Sequence, residues 1–173
     1  MNANVYSIGC QLVLCDNVIM IKKNACKNLD EQGFTFLSTE EKNKLNIALR
    51  VTPTVCIVLV LAGFYYQSIE IFFILSIFGI LGASFTKGQP IDVLYNIIAK
   101  LIGWPKIPPN PIQKRFSCGV GAFFLVGATL SVYFGSVLWM YIFGVLYIIA
   151  AGAMALTHFC FASVLYNRFN KIK

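Results

Sequence analysis

The stretch KGQPIDVLYNIIAKLIGWPKIPPNPIQKRFSCG, residues 87–119, decides how the rest of the chain is organised. It is the only long polar interruption in an apolar run from Val51 to Tyr166. It contains five of the six prolines, and its five basic residues are Lys87, Lys100, Lys106, Lys114 and Arg115. Two apolar segments joined by a short turn lie on each side of it. We therefore interpret it as a cytoplasmic connector between two transmembrane hairpins.

The composition places the chain among membrane proteins. Of its 173 residues, 58% are hydrophobic and 12% are charged, and the mean hydropathy is +0.73, whereas a typical soluble domain is roughly 25% charged. The formal net charge of +7 needs no nucleic-acid partner, because Lys and Arg beside apolar helices follow from the positive-inside rule. We predict an all-α polytopic membrane protein with four transmembrane helices and no bound nucleic acid.

Four apolar segments have about the length of a membrane span. The first hairpin comprises residues 51–66 and 69–85, and the second comprises residues 117–133 and 137–166. Every Lys and Arg lies before the first segment, in the connector or after the fourth segment. By the positive-inside rule, both termini and the connector are cytoplasmic. We expect a multi-pass protein of the bacterial inner membrane.

The chain divides into three regions. Residues 1–37 form an N-terminal cytoplasmic arm, residues 38–166 the four-helix transmembrane domain and residues 167–173 a basic cytoplasmic tail. In the arm, residues 11–23 suggest either a β-hairpin that turns at Asp16-Asn17 or a misassigned extension before a true start at Met20. Residues 22–33 are polar and are expected to be loosely ordered. Ser38 and Glu41 then predict a capping box at the start of a short helix.

The first half of the connector predicts an amphipathic helix in the inner membrane interface. Pro90 suits the first turn of this helix and Gly103 suits its end. Its polar face contains Asp92, Asn96 and Lys100. The helix is too short to span a bilayer, so it is expected to lie along the surface. Lys87 and Lys100 would then pair with anionic lipid headgroups.

The second half of the connector, WPKIPPNP at residues 104–111, predicts an extended chain, because a residue that precedes proline is disfavoured in the helical conformation. Lys114 and Arg115 follow and would hold the cytoplasmic end of the third span at the membrane surface. Both are also candidates for binding headgroups or for activating a nearby thiol.

Small residues recur every four positions on three apolar segments. The pairs are Gly79 with Ala83 and Ala151 with Ala155, and the triplet is Gly127, Ser131 and Gly135. Such faces let helix backbones approach closely in lipid. They predict either helix packing within one chain or a homodimer.

A family resemblance rests on residues 104–121, WPKIPPNPIQKRFSCGVG. The proline-rich connector, the basic pair followed by Phe-Ser and the Gly-x-Gly resemble a bacterial membrane family known as domain of unknown function 4395. The matching positions are Pro108, Pro109, Pro111, Lys114, Arg115, Phe116, Ser117, Gly119 and Gly121. Asn46 and Arg50 resemble the segment that leads into the family's first span. The resemblance covers about residues 38–166 and implies a four-helix membrane protein, without an established activity.

The sequence departs from the family pattern near the end of the fourth helix. Many members have Cys-x-x-Cys there, before a tyrosine. This chain has Cys160-Phe161-Ala162-Ser163, followed by Tyr166. The second thiol is missing, which weakens any redox activity that the resemblance would imply.

Three thiols and the only histidine are expected at similar depths. With a rise of about 1.5 Å per helical residue, Cys56, Cys118 and Cys160 lie about 9, 4.5 and 12 Å below the cytoplasmic surface, and His158 lies about 15 Å below it. A cluster of this kind would suit thiol exchange, persulfide handling or the passage of a soft metal. Arg115 or His158 would lower the pKa of a thiol and so create a thiolate.

The alternative is that these cysteines only pack, since cysteine is among the most frequently buried residues. His158 and Cys160 would also lie about 200° apart around a continuous helix. An ionisable residue inside a span suggests a functional site, but His158 could equally be a neutral histidine bonded to Thr129 or Ser131.

No phosphate loop, metal-protease histidine pair, nucleophile elbow or pair of intramembrane carboxylates occurs in the sequence. We therefore assign no catalytic, metal-binding or cofactor-binding residue and favour a protein that is not an enzyme. The leading hypothesis is a protein that passes or senses a small sulfur-related or thiol-reactive species, with a thioredoxin-like or sulfurtransferase partner. The alternatives are a structural or accessory membrane subunit with inert cysteines and a small-solute permease.

Overall fold

The computed structural model describes residues 24–170, and all regular secondary structure in that range is helical. The helices are α1 (24–31), α2 (Thr39–Leu45), α3 (Ala48–Tyr66), α4 (Ile69–Ser84), α5 (Pro90–Ile102), α6 (Ile112–Tyr133), α7 (Val137–Thr157) and α8 (Phe161–Phe169). The predicted all-α class is confirmed for this part of the chain. The hairpin suggested for residues 11–23 lies outside the described residues.

Three helical runs are long and apolar enough to cross a membrane. They are Thr39–Tyr66, Ile112–Tyr133 and Val137–Thr157. The first run joins α2 and α3 through a short turn. Helix α4 is also apolar but has only 16 residues. The structure thus has the apolar helices that are typical of a membrane protein.

Short turns join the consecutive apolar helices. Helix α3 ends at Gln67, which adopts a left-handed conformation with φ of 46°, and the Ser68 side chain then accepts a hydrogen bond from the backbone N–H of Ile71. Between α6 and α7 the left-handed residue is Gly135, with φ of 69°. Helix α6 lies at the centre of the structure and packs against α4, α7 and α8.

Two hydrophobic cores hold the helices together. The larger core joins α3, α4, α6 and α7 through Cys56, Val60, Phe72, Leu75, Leu125, Ala128 and Met140. The smaller core joins α1, α2, the start of α3 and the connector through Leu29, Phe34, Leu45, Ala48, Leu49 and Ile107. The N-terminal arm is therefore packed onto the helical domain from at least residue 25 onward, since Ala25 is also buried.

Small residues allow close helix contacts within the chain. A Cβ atom added to Gly79 would lie 2.9 Å from the Cβ atom of Ala122, so α4 and α6 meet at this point. A Cβ atom added to Gly127 would lie 2.8 Å from the ring of Phe143 on α7. Around Gly152, by contrast, no described atom lies within 4 Å of such a Cβ position, apart from the adjoining residues and nearby backbone of α7 itself.

Two expectations about local structure were wrong. The apolar segment 137–166 is not one helix, because α7 ends at Thr157 and His158 turns the backbone with φ of 56° before α8 begins. Residues 24–31 are helical, whereas residues 22–33 were expected to be loosely ordered. The Asn28 and Gln32 side chains explain both results, since they donate hydrogen bonds to the Thr157 and His158 carbonyl oxygens at 2.8 and 2.6 Å.

The connector has the local structure that its sequence predicts. Helix α5 has Pro90 in its first turn and ends at Gly103, which has a left-handed φ of 74°. Residues 104–111 have no regular secondary structure. Asn96 binds this segment by accepting the Ile107 backbone N–H at 2.7 Å and donating to the Ile107 carbonyl at 3.0 Å. The predicted capping box of α2 is also present, between Ser38 and Glu41.

Candidate functional site

A cavity of about 500 Å³ lies between the helices at the end of the domain that contains the connector. It is lined mostly by apolar side chains. The polar and sulfur-containing residues of its wall are Thr52, Cys56, Gln89, Asp92, Lys114, Ser117, Cys118, Tyr147, Met154 and Cys160. The three cysteines of the predicted cluster therefore line one cavity, although they come from α3, α6 and the residue before α8. We call it the thiol cavity.

Gln89 connects two of the three thiols. The Cys56 thiol donates a hydrogen bond to Gln89 Oε1 across 3.8 Å, and Gln89 Nε2 lies 3.4 Å from Cys118 Sγ, to which it donates. Gln89 is the residue before α5, so the connector supplies this bridge. One amide thus orients thiols from α3 and α6 toward the same part of the cavity.

The third thiol belongs to a network of hydroxyl groups. Cys160 Sγ donates to Ser117 Oγ at 2.9 Å, and Ser117 Oγ lies 2.8 Å from Ser163 Oγ. Both serine hydroxyls also lie within hydrogen-bond distance of the Gln113 carbonyl oxygen. The break between α7 and α8 makes this contact possible, because it brings Cys160 to the first turns of α6. The four cysteines in the described residues are free thiols.

Asp92 is the buried carboxylate of the thiol cavity. Its Oδ1 atom accepts a hydrogen bond from the Thr52 hydroxyl at 2.5 Å, and its Oδ2 atom accepts the Gln89 backbone N–H at 3.0 Å. Both carboxylate oxygens therefore have a donor, as a buried carboxylate requires. These bonds fasten the start of α5 to α3 and fix the position of Gln89.

Lys114 is the buried cation of the cavity. The residue is 5% exposed, and its ammonium lies 5.5 Å from the centre of the Phe34 ring. Phe34 follows α1, so the N-terminal arm forms the wall behind this lysine. A Cβ atom added to Gly33 would overlap the Gln113 side chain, which shows how closely the arm packs on α6.

His158 is fully buried but does not line the thiol cavity. Its Nε2 atom lies 3.2 Å from Arg50 Nε, a donor, and 2.8 Å from Asn46 Oδ1, an acceptor, so Nε2 bonds to one or the other according to the tautomer of the ring. Burial lowers the pKa of His158 to about 4, and the positive charges of Arg50 and Lys114 act in the same direction. The structure therefore separates His158 from the three thiols, and its partners are neither Thr129 nor Ser131.

The other predicted basic residues do not line the thiol cavity. Arg115 donates to the carbonyl oxygens of Ala83 and Ser84 at 2.9 and 2.8 Å, and so caps the C-terminal end of α4. This role satisfies carbonyl groups that a helix end leaves without a partner. Lys87 and Lys100 are exposed on the connector, where they do not line the cavity.

Sequence reasoning did not identify Thr52, Gln89 or Asp92 as parts of the site. Asp92 was assigned to the polar face of an interfacial helix, and Gln89 only precedes the proline at the start of that helix. One signal was present, since an acidic residue at the third position of a helix often binds the backbone before the helix. Within residues 24–170, no group of three or more His, Cys, Asp or Glu residues is placed to hold a metal ion.

The fold and the site together define a class: an all-helical protein with apolar helices of membrane-spanning length and a cavity that contains thiols. The chain belongs to the family described as Domain of unknown function (DUF4395), whose model matches residues 46–171. This match confirms the resemblance seen around the connector. Searches of curated proteins and of solved structures returned no match.

The family match begins at Asn46, within the group of residues that surrounds His158. Asn46 and Arg50 before the first long apolar helix contact His158 after the last one. The matched region is thus closed by contacts between its two ends. The described part of the arm up to residue 45 lies outside the match. It contacts this group of residues through Gln32, whose side chain donates a hydrogen bond to the His158 carbonyl oxygen.

Proposed function

We propose that this chain is a four-span protein of the bacterial inner membrane that passes or senses a small sulfur-related or thiol-reactive species through the thiol cavity. The observation that carries the proposal is that Cys56, Cys118 and Cys160 line one cavity although they belong to three separate elements. Cysteines that only pack in an apolar core would not need to line a common cavity, and they would not need a side-chain amide that orients them. Gln89 and Ser117 give all three thiols a hydrogen-bond partner.

In the proposed membrane arrangement, α4 is the second of the four spans. Its 16 residues extend about 24 Å at about 1.5 Å per residue, which is less than the roughly 30 Å of a hydrocarbon core. Local thinning of the bilayer can compensate for a short span. Phe73, Ile74, Ile77 and Ile80 are exposed along α4, as expected of side chains that face lipid.

The proposed orientation places both termini and the connector in the cytoplasm. The distribution of Lys and Arg supports it. The exposed apolar face of α5 gives further support, because Leu94, Ile97 and Leu101 are more than half exposed, as is Trp104 just after the helix. A helix with such a face fits the inner interface. There, Lys87 and Lys100 would contact anionic headgroups.

The experiment that tests the function treats the protein in lipid nanodiscs with sodium polysulfide and locates added sulfur by peptide mass spectrometry. One sulfur atom passes from the polysulfide to a cysteine thiol, which becomes a persulfide while a shorter polysulfide leaves. We expect at least one of the three cavity cysteines to gain sulfur and the Cys56→Ser, Cys118→Ser, Cys160→Ser variant to lose this reaction.

Cys26 provides the matched control, because it lies on α1 and does not line the cavity. The Cys26→Ser variant should react as the wild type does. If the three cavity cysteines stay unmodified while Cys26 reacts, the proposal is wrong, and the result favours an accessory subunit with inert thiols.

A further inference from the structure

Lys114 is the one cation among the described residues that line the thiol cavity. Only 5% of this residue is exposed. The only ion pairs in the described part of the chain are Lys42–Asp30 and Lys44–Glu40, so Lys114 has no carboxylate within 4.0 Å there. A buried charge without a partner is costly for a protein. The presence of the Lys114 charge beside a cavity therefore points to a bound anion.

The carboxylate of the cavity does not neutralise Lys114. Asp92 uses its two oxygens to accept hydrogen bonds from Thr52 and from the Gln89 backbone. The described contact of the Lys114 ammonium is the face of the Phe34 ring, which attracts a cation but carries no net charge. The positive charge thus remains available to a ligand in the cavity.

A thiol lies next to this cation on the same helix. Lys114 and Cys118 are four residues apart on α6, and side chains with this spacing lie on the same helix face. Ser117, also on this turn, presents a hydroxyl group that lies beside Cys160. A small anion at Lys114 would therefore contact both a thiol and a hydroxyl group.

We propose that Lys114 is the anion-binding group of the thiol cavity, and that the cavity takes a small sulfur anion, of the hydrosulfide or thiosulfate class. The Lys114 ammonium binds the negative charge of the ligand beside the Cys118 thiol, which lines the same cavity. This inference rests on the proposed function, because both require cavity thiols that a reagent can reach. It adds that the ligand is an anion and that one lysine selects it.

The test compares reagents of different charge that modify thiols by the same reaction. In each case the cysteine sulfur forms a disulfide with the reagent, and methanesulfinate leaves. The reagents are the anionic sulfonatoethyl, the cationic trimethylammonioethyl and the neutral methyl methanethiosulfonate, applied to protein in nanodiscs of neutral lipid. Peptide mass spectrometry measures the rate at Cys118. The ratio of the anionic to the cationic rate cancels any change in the fraction of thiolate.

We expect the ratio of the anionic to the cationic rate at Cys118 to be at least about tenfold higher in the wild type than in Lys114→Met, as a unit charge within a few Å would produce at the effective dielectric of a partly buried site. Lys114→Arg should preserve the wild-type ratio. Lys100→Met is the matched control, because Lys100 is exposed on α5, and it should leave the ratio unchanged.

The neutral reagent distinguishes the two proposals. If it modifies Cys118 equally in the wild type and in Lys114→Met while the charge ratio is the same in both, the thiols are accessible but Lys114 selects no anion, and this inference is wrong. If it modifies none of the cavity cysteines in the wild type, the proposed function and the inference both fail.

A second measurement tests the sulfur atom of the ligand. Thiosulfate and sulfate are both dianions and differ by one sulfur atom in place of an oxygen. A ligand that binds only the folded state raises the melting temperature. We expect thiosulfate to stabilise the wild type more than sulfate does, and Lys114→Met to lose the difference. Equal stabilisation by both ions would show general anion binding and overturn the sulfur preference.

Discussion

At the scale of single residues, His158 acts as a junction between the two ends of the family domain. It follows the last residue of α7 in a left-handed conformation, and its ring contacts Arg50 and Asn46. Its carbonyl oxygen accepts a hydrogen bond from the Gln32 side chain. Burial and the positive charge of the neighbouring Arg50 both favour the neutral ring. The histidine is therefore a positioning residue for the helix ends rather than a base for the thiols.

The neutral state of His158 makes stability depend on pH. Its pKa in the folded protein is lowered to about 4, below the value of about 6.5 for an unfolded histidine. The unfolded chain thus binds the additional proton first, and the contribution of His158 to stability, fully present above pH 6.5, is lost as the pH falls toward 4. We expect the melting temperature in detergent to fall over this window.

The matched variant is His158→Asn, because asparagine tolerates the left-handed conformation and does not titrate. This variant should be less stable than the wild type near pH 7 and should show a smaller loss between pH 6.5 and 4. An identical pH dependence in the two proteins would contradict the assignment to His158.

At the scale of the helices, the contact between α4 and α6 positions the cavity wall. Gly79 and Ala122 lie at this contact, and both line the thiol cavity. We predict that Gly79→Leu forces the helices apart and destabilises the protein by about 2 kcal/mol, as overpacking typically does. A thermal unfolding series in detergent would measure this loss.

Gly152→Leu is the control for that prediction. It replaces a glycine inside α7 where no described atom of another helix lies within 4 Å of the new Cβ atom. The melting temperature should stay the same or rise, since leucine has the higher helix propensity. Equal destabilisation by the two substitutions would show that the α4–α6 contact is not specially constrained.

At the scale of the whole molecule, the membrane arrangement makes a direct prediction about sidedness. Reporter enzymes fused after Gln67 or after Gly135 should report the periplasmic side, because both turns lie opposite the basic connector in the proposed arrangement. A fusion at Lys106 in the connector is the control and should report the cytoplasm. Cytoplasmic signals from the Gln67 or Gly135 fusion would contradict the four-span proposal.

Several features followed from the sequence alone, because they depend on local interactions. The apolar runs predicted the long helices, and Ser38 with Glu41 predicted the cap of α2. Pro90 and Gly103 marked the ends of α5 because one suits the first helical turn and the other adopts a positive φ easily. The connector motif was also sufficient to indicate the family, since a family motif is a property of the sequence.

The site itself was decided by contacts between residues far apart in the chain. The sequence placed three cysteines at similar depth, but only the tertiary structure brought them to one cavity, added Thr52, Gln89 and Asp92 to its wall, and removed His158 from it. The reason is the break after Thr157, where the Asn28 and Gln32 side chains bind carbonyl groups at the end of α7. Helical periodicity cannot predict this break, because it arises from an arm more than a hundred residues earlier in the chain.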